Sequence, residues 1–260
     1  MCLISTLTEP QSSHVTSYQC VVLAGGLGTR IREAAPDVPK CLIPVAGRPF
    51  IEWQLRWLAG QGVSEVVICI GFRGDQVRAF IGDGKQFRVD VTYVDEGSAL
   101  KGTAGALRLA VDSAVLQPWF FVLYGDSYLD VSLKQVAKCF RSQNQRALMT
   151  VHRNENRWEE SNVIFDGALV TRYEKNCQQP SDEMVFVDYG LLAMQGDVVA
   201  ENIEPDRVSD LAPLLSSLAL NGELTGFEVR ERFFEIGTPE GLSELELHLV
   251  SKVEAPNESW

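Results

Sequence analysis

The first half of the chain alternates short unbroken apolar runs with stretches of helical period. Val21 to Ala24 is a β-rich run that meets glycines, the pattern of a buried strand ending in a loop. In GRPFIEWQLRWLAGQG, the residues Phe50, Trp53, Trp57 and Ile51, Leu55, Leu58 fall at helical spacing. Pro49 suits the first helical position there, Gly60 or Gly62 ends the helix, and both tryptophans are assigned to the core. EVVICIGF (Glu65 to Phe72) predicts a second buried strand, Asp75 to Ile81 a short helix, and VDVTYVDE (Val89 to Glu96) a third strand. GTAGALRLAVDSAV (Gly102 to Val115) predicts a helix with Leu107, Val111 and Ala114 on one face. WFFVLY (Trp119 to Tyr124) is a central strand that ends at Gly125-Asp126.

Strand and helix in alternation imply right-handed crossovers, hence an α/β fold with a mostly parallel sheet. Its ligand belongs beyond the carboxyl ends of the strands, where the glycine loop and Asp126 both sit. The second half changes character. RALMTVHRN, SNVIFDG, ALVTRYEKN, EMVFVDYGLLAM and GFEVRERFFEIG read as strands with few helices between them, and Asp166-Gly167 reads as a hairpin turn. Ser209 to Leu220 predicts a helix with Leu211, Leu214, Leu215 and Leu218 inward. Thr238-Pro239-Glu240 opens a last helix that runs to about Val250.

The 260 residues suffice for a sizeable core. Residues 1–18 are read as a loose extension, 19–250 as one domain, and 251–260 as a frayed tail. Within the domain, residues 19–130 form one half of alternating strand and helix and residues 131–250 a second, strand-rich half. The polar first 18 residues lack the apolar core of a signal peptide, and no run is long enough to span a membrane, so a cytoplasmic location is expected. A net charge of -12 argues against nucleic acid or an anionic membrane as partner, because both need clustered cations. Six cysteines without a CxxC pair read as free thiols, and three scattered histidines offer no ligand spacing.

In CVVLAGGLGTRIREAAPDVPK, Gly25, Gly26 and Gly28 can take backbone angles closed to other residues and let a ligand approach the main chain. Successive inward amides make an anion nest, and Arg30, Arg32 and Lys40 add charge suited to a polyphosphate. A P-loop is excluded because no lysine-hydroxyl pair follows the glycines, and a dinucleotide fingerprint fails because Ile31 takes its third glycine position.

LAGGLGTRIRE followed by VPKCLIPVAGRPFIEWQL resembles the signature of the sugar-1-phosphate nucleotidylyltransferases. Within them the sequence is most similar to the heptose- and mannose-1-phosphate guanylyltransferase branch, over about Val21 to Leu242. The resemblance implies a three-layer, Rossmann-like nucleotidyltransferase fold (GT-A-like) with a mostly parallel central sheet and a smaller β-rich sugar-binding lobe. It also implies transfer of a nucleoside monophosphate from an NTP, GTP first, to heptose or mannose 1-phosphate, with Mg²⁺ as cofactor. The partners are then the NTP and the sugar 1-phosphate, and the oligomeric state stays open.

By the same resemblance, Leu23, Ala24, Gly25, Gly26, Gly28, Thr29 and Arg30, with Gly102 and Thr103 of GTAG, bind the nucleotide. Arg30 grips the leaving pyrophosphate and Lys40 faces the reacting phosphates. Asp126 of YGDSYLD is the first metal ligand, with Asp130 as the alternative, and Glu235 of FFEIGTPE is the second. Tyr124, Gly125, Glu174, Lys175, Asp188 and Gly190 line the sugar-phosphate side, with Lys175 neutralising the phosphate. Three positions depart from the family pattern. Glu235 stands where aspartate is usual, Asp188-Tyr189 where Asn-Ala is usual, and Lys101 where an apolar or small residue is usual. Glu235 and the Asp188-Tyr189 change motivate one alternative, a catalytically weak nucleotide-sugar-binding regulatory homologue, and a second alternative is a glucose-1-phosphate nucleotidylyltransferase using another NTP. A dinucleotide-dependent oxidoreductase is disfavoured by Ile31.

Overall fold

The first apolar run forms β1 (Tyr18–Leu23), buried along nearly its whole length. The computed structural model describes residues 17–26, 38–155, 157, 160–175 and 181–254. After β1 come a hairpin, β2 (Pro44–Val45) with β3 (Arg48–Pro49), and then α1 (Phe50–Gly60). Next are β4 (Val63–Ile70), α2 (Gly74–Ile81), β5 (Asp90–Asp95) and α3 (Gly102–Asp112). β6 (Trp119–Tyr124), β7 (Ser127–Tyr128), α4 (Leu133–Ser142) and β8 (Ala147–Arg153) follow. β9 (Val163–Phe165), β10 (Val170–Tyr173), β11 (Phe186–Gln195), α5 (Gly196–Asn202) and α6 (Leu211–Leu220) lead to β12 (Leu224–Val229). β13 (Phe234–Glu235) and α7 (Pro239–Glu254) complete the order.

The main sheet runs β10-β9-β11-β6-β1-β4-β5, with β8 on β11 and β12 on β8. Its central block, β6-β1-β4-β5, is parallel. β11 joins that block antiparallel to β6 and carries the β-rich half as a continuation of the same sheet. Helices cover both faces, giving three layers. On one face Ile51, Leu55 and Leu58 of α1 pack with Val77, Val136 and Phe140. On the other, Leu107 of α3 packs with Val198, Leu214 and Leu215. A third cluster joins Val45, Phe50 and Trp53 to Tyr128, Ile236, Leu245 and Leu249, and so ties α7 to the β7/β13 pair. Trp53 and Trp57 are both buried, as expected.

Several elements differ from their sequence expectation. Tyr18 belongs to β1 rather than to a loose extension: its ring packs edge-on against Phe121 and Trp119. Pro49 is one residue outside α1, because its ψ of 137° is extended. Ala114 cannot extend the α3 stripe, since α3 stops at Asp112 and Ala114 has φ +53°. α4 was not expected, although Leu133, Val136, Ala137 and Phe140 form a one-face stripe, and neither was the short α5. Asp166 does turn the β9–β10 hairpin, but over a four-residue loop: its Oδ1 accepts from the N–H of Ala168 and Leu169, both at 2.8 Å. Thr238 caps α7 through Gly241 N–H at 3.1 Å, but the helix continues past Val250 to Glu254, and Lys252 bonds Asp130 at 2.6 Å. Among the described residues no helix is long and apolar enough to cross a membrane.

Candidate functional site

The carboxyl ends of β1 and β6 border a cleft of about 580 Å³. Parallel neighbours that end at the same level leave such a crevice, and here a bare backbone lets the two ends approach. A Cβ on Gly125 would lie 2.5 Å from the carbonyl oxygen of Leu23, and the Gly125 N–H bonds that oxygen at 3.1 Å. Leu23, Ala24, Gly25 and Gly26 line one wall, with Tyr124, Gly125 and Asp126 beside them. Gly28, Thr29 and Arg30 lie outside the described residues.

Lys40 begins a 3-10 turn and reaches across the cleft floor to Asp126, with Nζ 2.6 Å from Oδ2. Asp126 is further held by its carbonyl, which accepts from Ile236 N–H at 3.0 Å. The antiparallel pairing of β13 with β7 sets Glu235 opposite Ser127, so Asp126 and Glu235 share one rim. Asp130, the alternative ligand, lies elsewhere: it pairs with Lys252 and does not line the cleft.

The GTAG segment packs more tightly than a helix alone requires. Gly102 has φ +73°, and a Cβ there would meet the Ser209 carbonyl oxygen at 2.4 Å. That oxygen accepts from Ala104 N–H at 3.0 Å and so caps the start of α3. Thr103 Oγ1 accepts from Leu211 N–H at 2.8 Å. The small residues thus admit the 207–211 backbone, while Gly102 and Thr103 also line the cleft. Lys101 has a structural account: Nζ lies 3.2 Å from Asp206, and its N–H bonds Glu96 Oε2 at 2.6 Å.

On the opposite wall β11 carries a bulge. Asp188 pairs with Val151 and Leu192 with Met149, so β11 holds two residues more than β8 over this span. Gly190, at φ +96°, supplies the turn. Asp188 faces the cleft, where Oδ1 accepts from Gly190 N–H at 3.0 Å and Oδ2 from the Tyr124 hydroxyl at 3.3 Å. Burial pushes the Asp188 carboxyl up to about 6, against the pull of those donors and of Lys175. Tyr189 points the other way and is fully buried, with its hydroxyl accepting from Asp130 N–H at 3.1 Å.

Lys175 also lines the cleft, with Nζ 3.0 and 3.3 Å from the two oxygens of Asp210. Burial opposes ionisation of Asp210, but the N–H of Ala212, the Lys175 ammonium and the Thr103 hydroxyl outweigh it and hold the carboxyl below its usual range. Glu174 does not join this wall. Side chains alternate along an extended chain, so Tyr173 and Lys175 face inward while Glu174 turns out and pairs with Arg172 at 2.7 Å. Glu174, expected on the sugar side, thus stands apart from the described lining.

The sequence reading missed Glu96, Glu160, Asn162 and Tyr173 on the cleft wall, and Asp210 behind Lys175. Two signals could have found some of them. Glu96 follows directly on a parallel strand, and Tyr173 shares its period with Lys175. Cys41 also lines the cleft, but burial pushes its thiol up to about 12, so it offers no thiolate at neutral pH.

The described lining sets Lys40 and Lys175 against five carboxyl groups, Glu96, Asp126, Glu160, Asp188 and Glu235. A polyanion entering here needs further positive charge, and the two carboxylates at the rim offer the hard oxygen donors that suit a divalent cation. Among the described residues no group of three or more His, Cys, Asp or Glu side chains stands ready to hold an ion. Asp126 and Glu235 fit a cation whose remaining ligands come from phosphate and water.

The profile of the family described as nucleotidyl transferase matches residues 19–162, more than half of the chain. The chain belongs to that family. Among its relatives, the low-salt glycan biosynthesis nucleotidyltransferase Agl11 of Haloferax volcanii is 27% identical over 230 residues, 86% of this chain and 64% of that protein. The mannose-1-phosphate guanylyltransferase catalytic subunit beta of Drosophila pseudoobscura pseudoobscura is 26% identical over 236 residues, 89% of this chain and 62% of that protein. The chain thus spans somewhat under two thirds of the length of these relatives. A solved structure of a putative glucose-1-phosphate thymidylyltransferase from Bacillus anthracis, in complex with sucrose, superimposes with a TM-score of 0.79. It is 21% identical, covers 94% of this chain and 98% of its own, and establishes the nucleotidyltransferase fold.

Proposed function

We propose that this nucleotidyl transferase joins an NTP to a sugar 1-phosphate, giving an NDP-sugar and pyrophosphate. The observation that carries the reading is the cleft itself. One crevice brings the glycine-bearing end of β1, the Lys40–Asp126 pair, Glu235 and Lys175 to face one another.

The reaction exchanges one bond at the α-phosphorus. Its bond to the bridging oxygen breaks, pyrophosphate leaves with the electron pair, and a phosphate oxygen of the sugar 1-phosphate forms the new bond. That oxygen is already ionised, so no general base is required. The work of the site is to align two polyanions and offset their repulsion. Gly25 and Gly26 open the main chain to the nucleotide, and Lys40 supplies a cation beside the reacting phosphates. Lys175, oriented by Asp210, is placed for the phosphate of the sugar. Asp126 and Glu235 would hold Mg²⁺, which supplies neutralising charge on the phosphates. Gly28, Thr29 and Arg30, outside the described residues, would complete the nucleotide side.

Asp188, Gly190, Tyr124 and Asn162 form the sugar side, with Tyr173 and Glu160 at its border. GTP with mannose or heptose 1-phosphate is the favoured pair, supported by the sequence pattern and by the mannose-1-phosphate guanylyltransferase relative. The thymidylyltransferase neighbour keeps another NTP with glucose 1-phosphate as the alternative. The test is pyrophosphate release from each NTP with a panel of sugar 1-phosphates and Mg²⁺. Release with one pair far above the others would assign the substrates, whereas silence with every pair would leave a nucleotide-sugar-binding protein instead of an enzyme.

A further inference from the structure

The apolar face of α1 buries a polar side chain. Gln54 is 1% exposed and lies between Ile51, Leu55 and Leu58 on a helix that packs onto the sheet. A primary amide in such a setting costs free energy unless its N–H groups are bonded. Here both are: Nε2 donates to the carbonyl oxygen of Tyr124 at 3.0 Å and to that of Ser127 at 2.8 Å. These two carbonyls bracket Gly125 and Asp126. The orientation of the amide follows from its partners, since a reversed amide would set Oε1 against two carbonyl oxygens. Oε1 accepts no hydrogen bond among the described residues. The side chain is therefore kept for its two donors.

We propose that Gln54 is a positioning residue that clamps the Tyr124–Ser127 turn and so aims the Asp126 carboxylate at the divalent cation and the phosphates. The inference rests on the reading of Asp126 as a metal ligand. Gln54 itself does not line the cleft, so any effect on the reaction passes through this turn. The other anchors of the turn lie toward β1 and β13: Gly125 N–H bonds Leu23, the Asp126 carbonyl accepts from Ile236, the Asp126 carboxylate pairs with Lys40, and Ser127 pairs with Glu235. Without Gln54 two buried carbonyls would compete for no donor, and the turn would relax.

Two substitutions test the clamp. Gln54→Met keeps length and suits the apolar face, while Gln54→Leu also removes both N–H donors with a shorter apolar side chain. The first readout is amide hydrogen exchange over residues 123–128, with melting temperature as the fold control. Exchange in this segment should rise about tenfold in both variants while α3 and α6 stay protected, the size expected for losing one or two buried hydrogen bonds. The second readout is the Mg²⁺ concentration for half-maximal pyrophosphate release. It should rise about tenfold, with the KM for sugar 1-phosphate within twofold of the parent protein. Unchanged exchange in a folded variant overturns the clamp, and raised exchange with an unchanged Mg²⁺ requirement overturns its role in aiming Asp126. Should the parent protein release no pyrophosphate with any substrate pair, the proposed function fails, and the exchange result alone decides whether Gln54 holds the turn. If Gln54→Met fails to fold, Gln54→Leu carries both measurements.

Discussion

Replacing Asp188 by asparagine removes an ionisable group that folding forces into a poor environment. Burial moves its carboxyl from 3.8 to about 6, so the native state holds a proton that the unfolded chain releases. Stability from this group is complete below the unfolded value and is lost as pH rises through the folded one. The full displacement corresponds to about 3 kcal/mol. The residue keeps partial solvent contact, so screening reduces this to roughly 1–2 kcal/mol. The loss runs from about pH 4 to about pH 6.5, where the unfolded carboxyl has ionised and the folded one has not yet done so, and more than half of it has accrued by pH 5. Urea unfolding of both proteins should therefore converge toward about pH 3.5 and diverge by roughly 1–2 kcal/mol at about pH 7, with Asp188→Asn the more stable. The kcat/KM profile for sugar 1-phosphate should inflect near pH 6 in both proteins through the substrate's own phosphate, and the parent protein should show a further ionisation near that pH that the asparagine variant lacks. A stability difference that is flat from about pH 4 to 7 would refute the assigned burial of the carboxyl.

Asp126→Asn should lower pyrophosphate release by about 100-fold or more with little change in melting temperature, since the residue faces the cleft. Glu235→Gln should also lower turnover, and full retention of activity would remove Glu235 from the metal assignment. Lys175→Met should raise the KM for sugar 1-phosphate about tenfold and leave the KM for NTP near its starting value, as steady-state kinetics would show. Gly102→Ala should destabilise by about 2 kcal/mol or more in urea unfolding, because its φ is +73° and the Ser209 carbonyl occupies the space of a Cβ.

Period and punctuation made much of the fold legible. WFFVLY became β6 residue for residue, because a buried parallel strand needs apolar side chains on both faces. α4 was equally visible as a stripe and was passed over among strands. The wall residues divide by what a linear pattern can carry. Lys40, Asp126 and Glu235 come from distant segments, and a family resemblance suggested them together before the cleft brought them to one rim. Glu174 was grouped with Lys175 because the two are adjacent in sequence, and the fold shows that its side chain pairs with Arg172. Gln54 was hidden by its setting: between Trp53 and Leu55 it reads as an interruption of an apolar stripe, and only the fold shows the two carbonyls it serves. Asp188 and Tyr189 were noted as unusual, but the two-residue excess in β11 that sends them to opposite faces is a property of pairing.

The pairing of β13 with β7 also sets an order of events at the ribosome. Asp126 emerges on the order of a hundred residues before Glu235, which at about 5–20 residues per second is on the order of ten seconds of synthesis. In that interval β7 has no ladder partner, and Val45, Phe50, Trp53 and Tyr128 await Ile236, Leu245 and Leu249. Until those residues emerge, the rim that bears Asp126 lacks Glu235. The rim closes, and the exposed apolar cluster is covered, only when α7 docks.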